Sequence, residues 1–265
     1  MKLSTSALAL VAAGLCVSAQ AGVDVGFDFN SAYVPSGATC NDGWVFQPFI
    51  DVYDLKIGDV ALPVEFDVWG NMDLEDYDDD PEATDPGRFS EIDFQVRFNL
   101  AQYIGDDALT LYVGYLEYDY PVAGGDADTL VDAKVGYDFS TGDTELFNAS
   151  LRLKYRVGGP SEGKYEVIGD IHRGFELGQV CEKCSLGLTV GADVVYVDVD
   201  DADNNKGEDK LDSGLACADI YAKLSCGDFT VGCTYVAQID DDVLPDGPYG
   251  YDVEWIATIG WCHGF

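Results

Sequence analysis

Hydrophobic and polar residues alternate with a period of two through most of this chain. Between Phe89 and Leu100, an apolar residue stands at every second position from Ile92 onward, and a polar or charged residue stands between each pair. The same alternation recurs at 23–33, 62–74, 131–139 and 147–157. Because successive side chains of a strand point to opposite faces, the pattern predicts strands with one apolar and one polar face.

Twelve strands are predicted when this pattern is followed along the chain. They lie near residues 23–34, 44–55, 60–74, 89–100, 108–120, 129–139, 146–157, 164–175, 184–197, 213–225, 228–239 and 251–265. Most have the roughly 9 to 11 residues that a tilted strand needs to cross a bilayer. No apolar run of about 18 residues follows the first 21 residues, so the sequence predicts no membrane-spanning helix there.

The segments between the predicted strands are alternately short and long. The short ones carry Gly-Asp pairs that are typical of tight turns, at Gly58-Asp59, Gly105-Asp106, Gly142-Asp143 and Gly227-Asp228. The long ones are polar and often acidic, at 35–43, 75–88, 121–128, 158–163, 198–212 and 240–250. A rim of short turns opposite a rim of long loops is typical of an outer-membrane barrel.

The first 21 residues have the organisation of a secretory signal peptide. Lys2 is followed by an apolar stretch at 7–17 and by the small-x-small motif Ala19-Gln20-Ala21. We therefore predict a signal peptide at 1–21 and a single barrel domain at 22–265. A lipoprotein acylated at Cys16 is the alternative, which the bulky Leu15 before that cysteine disfavours.

The last predicted strand ends in an aromatic residue. Every second residue back from Phe265 is apolar as far as Val253, except His263. This pattern is typical of the terminal strand by which barrels are recognised for insertion, so Phe265 is the predicted membrane-insertion residue. The partners it implies are outer-membrane lipid and the barrel-assembly machinery. An ordinary amphipathic strand ending in Phe is the alternative.

Four short motifs resemble those of the TorF-type porins, which are outer-membrane barrels of largely unassigned function. They are Asp28-Phe29-Asn30-Ser31-Ala32-Tyr33-Val34, Asn41-Asp42-Gly43-Trp44-Val45-Phe46-Gln47-Pro48, Val68-Trp69-Gly70-Asn71-Met72-Asp73-Leu74 and Phe89-Ser90-Glu91-Ile92-Asp93. The resemblance covers about the first third of the chain. Members often continue after Tyr-Val with an aromatic-Arg-Gly motif, whereas Pro35-Ser36-Gly37 follows here. The resemblance implies a porin-like barrel and names no solute.

Charge excludes one class of partner and suggests another. The chain has 49 acidic and 14 basic residues and a formal net charge of −35, which would repel nucleic acid. An aromatic content of 12% argues against disorder. Acidic loops such as 76–80 and 198–203 would attract cations, so a cation-favouring channel is predicted. The alternative is that these loops are simply solvated.

If the apolar faces meet lipid, the polar faces line the interior of the barrel. The predicted pore-lining residues are Asp51, Glu65, Asp67, Glu91, Asp93, Arg97, Asp132, Lys134, Arg152, Lys154, Arg156, Glu166, Asp170, Asp219, Lys223 and Glu254. Acids dominate near 65–67 and 91–93, and bases cluster near 134 and 152–156. Such charges can line a water-filled channel or pair across it and close it, and the sequence leaves both open.

Metal binding and disulfides receive partial support from spacing. Asp201, Asp203 and Asn205 have EF-hand spacing, but Lys206 replaces the required Gly and Asp212 the final Glu, so weak divalent binding is all that is left open. In an oxidising compartment disulfides are expected. The candidate cysteines are Cys181, Cys184, Cys226, Cys233 and Cys262, while Cys40 is predicted to be unpaired.

Catalysis has little support in the sequence. His172 and His263 are the two histidines, and no nucleophile elbow, P-loop or zinc-protease motif occurs. We therefore predict an all-β, antiparallel up-and-down transmembrane barrel without enzymatic activity or a cofactor. Its predicted function is porin-like passive diffusion of small solutes. The alternatives are a closed structural barrel whose loops bind ions or partners, and a soluble secreted β-sandwich. The oligomeric state is left open, with a homotrimer among the possibilities.

Overall fold

One antiparallel sheet closes on itself to form a barrel in the computed structural model. The structure describes residues 19–75, 86–121, 126–141, 144–181, 184–202, 211–240, 243 and 253–265. Each long strand pairs with the long strands before and after it in the chain, and the first strand also pairs with the last, from Asp24 opposite Gly264 to Asn30 opposite Thr258. The single closed sheet confirms the predicted fold class and excludes a two-sheet sandwich.

Twelve long strands and one very short strand make up this sheet. They are β1 (Ala19–Asn30), β2 (Val45–Ile57), β3 (Val60–Ala61), β4 (Val64–Asp73), β5 (Phe89–Asn99), β6 (Leu109–Asp119), β7 (Asp128–Thr141), β8 (Thr144–Gly158), β9 (Tyr165–Cys181), β10 (Cys184–Asp198), β11 (Gly214–Cys226), β12 (Phe229–Gln238) and β13 (Trp255–Gly264). Within the described ranges, two short 3-10 turns lie at Pro35–Gly37 and Ala101–Tyr103. Each predicted strand overlaps one long strand.

The predicted strand at 60–74 is divided into β3 and β4. Pro63 lies between them and has no backbone N–H to donate to the ladder. Its carbonyl accepts instead from the backbone N–H of Asn99, at 2.8 Å. Pairing therefore resumes only at Val64.

Two other boundaries differ from the predicted ones. β1 begins at Ala19, within the predicted signal peptide, and Ala19 lies opposite Ile57 of β2. Residues 1–18 lie outside the described residues, and cleavage before Gly22 stays a prediction. β9 continues past residue 175 to Cys181 because it pairs with β10 as far as Cys184.

The short turns form one rim of the barrel. Gly58 and Gly227 have φ of +60° and +57°, a conformation that glycine adopts without strain. Gly142-Asp143 lies outside the described residues. At the opposite rim, the segments 35–43 and 158–163 are described throughout, whereas 76–85, 122–125, 203–210 and most of 241–252 lie outside the description.

The outer surface of the barrel carries a band of exposed apolar side chains, here called the apolar band. It includes Ile50, Phe98, Val113, Val131, Leu151, Ile171, Val190, Ile220, Val231 and Trp255, one on each of ten long strands. Aromatic rings continue it over β1 and its neighbours, since Phe27 contacts Phe46 and Trp261 at centroid distances of 5.5 and 5.8 Å. Among the described residues, no helix has the length and apolarity to cross a membrane.

Buried apolar side chains lie mainly inside the barrel near the long-loop rim. Val195 and Val197 of β10, Cys217 of β11 and Val236 of β12 form one cluster. Val34 and Ala38, from the segment between β1 and β2, pack against it. The cluster therefore holds part of that segment inside the barrel.

Candidate functional site

The interior of the barrel is lined by ion pairs between neighbouring strands. Arg152 of β8 binds Asp132 of β7 with both ends of its guanidinium, Nε to Oδ1 at 2.9 Å and Nη2 to Oδ2 at 2.7 Å. Gln95 of β5 also donates to Asp132, whose side chain is fully buried. Because a buried carboxylate is stable only with such partners, this cluster fixes the wall from β5 to β8.

A second cluster of charges lies closer to the long-loop rim. Arg156 Nη1 contacts Glu166 Oε1 at 2.9 Å, and Arg156 Nε lies 3.3 Å from Asp128 Oδ2. Lys164 Nζ reaches the same Glu166 oxygen at 3.4 Å. Glu166 thus forms ion pairs with two basic side chains at the point where β8 and β9 meet.

A third cluster of charged side chains joins β2, β4 and β5, the strands that carry most of the acidic residues of the interior. Arg97 Nη2 lies 3.3 Å from Asp51 Oδ1, and its Nε lies 3.5 Å from Glu65 Oε2. Above it, Asn30, Gln47 and Asn71 form a chain of amide hydrogen bonds of 2.6 and 2.8 Å across β1, β2 and β4. These bonds hold the inner wall in one arrangement.

The segment between β1 and β2 folds into the barrel and is here called the inner loop (residues 31–43). The Tyr33 hydroxyl donates to Glu91 Oε2 of β5 at 2.5 Å, and Ser36 Oγ donates to Glu166 Oε2 of β9 at 3.2 Å. Gln238 of β12 donates to the carbonyl of Gly37. The inner loop is therefore tied to three separate parts of the barrel wall.

Burial and the nearby Glu91 carboxylate raise the pKa of Tyr33 well above its usual range. The hydroxyl consequently stays protonated over the physiological range and remains a donor. Its ring also lies 5.8 Å from that of Trp69. Both contacts hold the first part of the inner loop against β4 and β5.

A cavity of about 390 Å³ lies in the interior, against the wall from β2 to β8. Acidic side chains from β2, β4 and β5 face it, and basic side chains come from β5 and β8. Its lining is Phe49, Asp51, Asp67, Trp69, Asp93, Gln95, Arg97, Leu116, Tyr118, Arg152 and Lys154. The cavity thus combines both signs of charge with a partly aromatic surface.

The structure places the predicted pore-lining residues in several groups. Six of them, Asp51, Asp67, Asp93, Arg97, Arg152 and Lys154, line the cavity. Others are partners around it: Glu65 of Arg97, Asp132 of Arg152, Glu166 of Arg156, and Glu91 of Tyr33. Lys134 lies on β7 opposite Arg152.

The remaining predicted pore-lining residues lie elsewhere in the barrel. Asp170 accepts from the Tyr221 hydroxyl at 2.8 Å and contacts His172 Nδ1 at 2.7 Å. Asp219 has a buried Oδ1, and Lys223 is exposed near the ring of Tyr221. Glu254 is exposed and lies just before β13, away from the three clusters of ion pairs described above.

Sequence reasoning did not identify the apolar part of the cavity or the inner loop. Phe49 and Trp69 occupy the same strand faces as Asp51 and Asp67, so their position in the alternation was the available signal. The sequence-based expectation places polar residues inside and apolar residues outside, so it does not place these two aromatic side chains in the interior. The contacts of the inner loop join residues up to 226 positions apart, which no local pattern indicates.

The described residues contain no group of three or more His, Cys, Asp or Glu side chains placed to hold a metal ion. Asp203, Asn205 and Lys206 of the acidic loop lie outside the described residues. Cys184 is bonded to Cys226, joining the short-turn ends of β10 and β11. Among the described cysteines, Cys181, Cys233 and Cys262 are not bonded, and neither is Cys40.

Comparison with known proteins gives distant likenesses. No protein-family model matches the chain, and no curated protein matches it. Among solved structures it is similar to the NanC porin, with 11% identity, 91% of this chain and 97% of that chain covered, and a TM-score of 0.44. It is also similar to an outer membrane channel of Pseudomonas putida F1, with 10% identity, 94% of this chain and 95% of that chain covered, and a TM-score of 0.42. For the outer membrane channel DcaP of Acinetobacter baumannii the identity is 12%, the coverage is 92% of this chain and 97% of that chain, and the TM-score is 0.39. Likenesses of this size assign neither a family nor a function to the chain.

Proposed function

We propose that this protein is a porin-like channel of a bacterial outer membrane, through which small solutes, and cations preferentially, diffuse passively. The observation that carries the proposal is the closed barrel with the apolar band outside and ion pairs inside. Soluble proteins rarely expose contiguous apolar patches beyond a few hundred Å². A band that runs around a closed barrel therefore needs lipid as its solvent, and a closed barrel has no unpaired strand edge in that lipid.

Strand length supports the same conclusion. β5 and β6 each contain 11 residues. At about 3.3 Å per residue and a tilt of about 40°, such a strand spans roughly 28 Å, which is close to the apolar height of membrane barrels. Aromatic side chains also lie toward both ends: Tyr235 packs on Trp255 at the long-loop end, and Phe139 on Phe147 at the short-turn end.

Barrel width and lining favour small solutes. Twelve tilted strands spaced by about 4.8 Å give a backbone radius of roughly 12 Å, and arginine and tyrosine side chains occupy much of that interior. Arg97, Arg152 and Arg156 are each paired with acids. Together with the net charge of −35, this leaves a surplus of negative charge along the path and supports cation preference.

A closed structural barrel is the second candidate function, and the inner loop is the observation that favours it. Its ties to β5, β9 and β12 place protein across the long-loop end of the interior. If the inner loop stays in place, solutes are blocked. If it moves, the same contacts act as a gate.

Conductance separates these candidates. The folded full-length protein is reconstituted in a planar bilayer under a salt gradient, beside a Tyr33→Phe/Gln238→Ala variant that removes two ties of the inner loop. Discrete steps with a cation-selective reversal potential support the open channel. Steps confined to the variant indicate a gated channel, and silence from both correctly folded proteins indicates the structural barrel. Anion-selective steps would contradict the cation preference.

A further inference from the structure

The charged side chains that line the cavity fall into two sets: those that already form an ion pair with another side chain of the wall, and those that do not. Arg97 is held by Asp51 and Glu65, and Arg152 is held by Asp132 through two hydrogen bonds. These side chains have their counter-charges within the wall. They are therefore available to a solute only if an existing ion pair breaks.

Three cavity side chains form no ion pair with any described residue. Lys154 of β8 donates to the Tyr118 hydroxyl at 2.8 Å and has no described carboxylate within ion-pair distance. Asp67 of β4 lies opposite Asp51, and Asp93 of β5 lies beside Glu91, so each of them faces another carboxyl group and neither has a basic side chain within ion-pair distance. Asp93 Oδ1 is also buried without a donor. A buried acceptor without a donor is costly, so a ligand that supplies one gains that energy.

We propose that this cavity binds a small zwitterion of amino-acid or dipeptide size, with its ammonium at Asp67 and Asp93 and its carboxylate at Lys154. The proposal rests on the proposed function, because it names the class of solute that the channel passes. Asp67 and Asp93 lie on β4 and β5, whereas Lys154 lies on β8. One molecule with two opposite charges can therefore contact the acids with one end and the lysine with the other. A simple cation would interact with the two acids and make no use of Lys154.

The rest of the lining suits the remainder of such a molecule. Trp69 lies directly opposite Asp93 in the β4–β5 register, where its ring can add a cation–π contact to a bound ammonium. Phe49 and Leu116 provide apolar surface for a side chain. A volume of about 390 Å³ lies at the small end of the range of ligand pockets and suits a molecule of this size.

Binding is measured by titration calorimetry on the folded full-length barrel in detergent, so that the readout does not depend on conduction. The probes are glycylleucine, N-acetylglycylleucine, which lacks the ammonium, and glycylleucine amide, which lacks the carboxylate. The zwitterion is expected to bind at least about tenfold more tightly than either analogue, since each loses one charge-assisted contact. Equal binding of the three probes, or none, overturns the proposal without requiring any variant.

Two substitutions assign the contacts, each with a matched control. Lys154→Met is expected to remove the preference for glycylleucine over its amide, whereas Lys223→Met, which changes an exposed lysine of β11, keeps it. Asp93→Asn is expected to weaken the preference over the N-acetyl analogue, whereas Asp219→Asn, which also has a buried Oδ1, keeps it. Lys154→Gln and Asp67→Asn replace any variant that fails to fold. Identical effects in test and control variants overturn the assignment.

The site and the channel can fail separately. A barrel that conducts ions but does not discriminate among the three probes refutes the zwitterion site and leaves the channel intact. A barrel that binds glycylleucine selectively but never conducts refutes the channel and leaves the site.

Discussion

Replacement of Ile220 by arginine tests whether the apolar band faces lipid. Ile220 is 64% exposed and lies six residues from each end of β11. Six residues of a strand tilted by about 40° rise roughly 15 Å, so this side chain stands near the midplane of a layer about 30 Å thick. Arginine at that depth costs about 2 to 4 kcal/mol. The unfolding equilibrium of Ile220→Arg is therefore expected to shift by about 30- to 1,000-fold toward the unfolded state.

Val180→Arg is the matched control. Val180 is 65% exposed, one residue before the short-turn end of β9, so the same substitution there is expected to cost at most about 1 kcal/mol. Both variants are unfolded with urea from lipid vesicles, with tryptophan fluorescence as the signal. In a soluble protein two equally exposed positions would each tolerate arginine within about 0.5 kcal/mol. Equal and small effects at both sites would refute the membrane orientation of the barrel.

Three further outcomes follow from the interior contacts and the disulfide. Glu166→Gln leaves Arg156 and Lys164 without their shared carboxylate and is expected to destabilise the barrel by about 3 kcal/mol in chemical unfolding, against a negligible effect of Glu254→Gln. Equal effects of the two would contradict this account of Glu166. Arg152→Met leaves the buried Asp132 carboxylate without its ion-pair partner and is expected to lower the free energy of unfolding by a similar amount. Adding Asp132→Asn is expected to restore part of that free energy, and strictly additive effects of the two substitutions would show that the residues are not coupled. Peptide mapping without reduction is expected to find Cys184 linked to Cys226, a link that Cys184→Ser removes and Cys262→Ser retains, and a different pairing would overturn the assignment.

The fold was predictable because alternation and turn chemistry are local signals. A period of two marks strands such as β5 and β8, and Gly-Asp pairs mark turns such as that at Gly227. The division at Pro63 was missed because the apolar pattern continues across it. The extension of β9 to Cys181 was missed because pairing with β10, rather than the glycine-containing sequence itself, holds that segment.

The site was predictable only in part. The strand faces of Asp51, Arg97 and Lys154 follow from alternation, but which charges pair depends on strand register and side-chain reach. Tyr118 illustrates the difficulty, since it is a mainly apolar side chain that lies inside and accepts a hydrogen bond from Lys154. The inner loop depends on contacts such as Tyr33 with Glu91, which only the closed barrel brings together.

The pairing of β1 with both β2 and β13 has a consequence for assembly. Until β13 docks, the outer edges of β1 and β12 carry backbone groups without partners, and each such group costs several kcal/mol in lipid. A partly inserted barrel of eleven long strands is therefore far less stable than the finished one. For a barrel that inserts in a membrane as proposed above, assembly is accordingly expected to be all-or-none, with the joining of β1 to β13 as its final step.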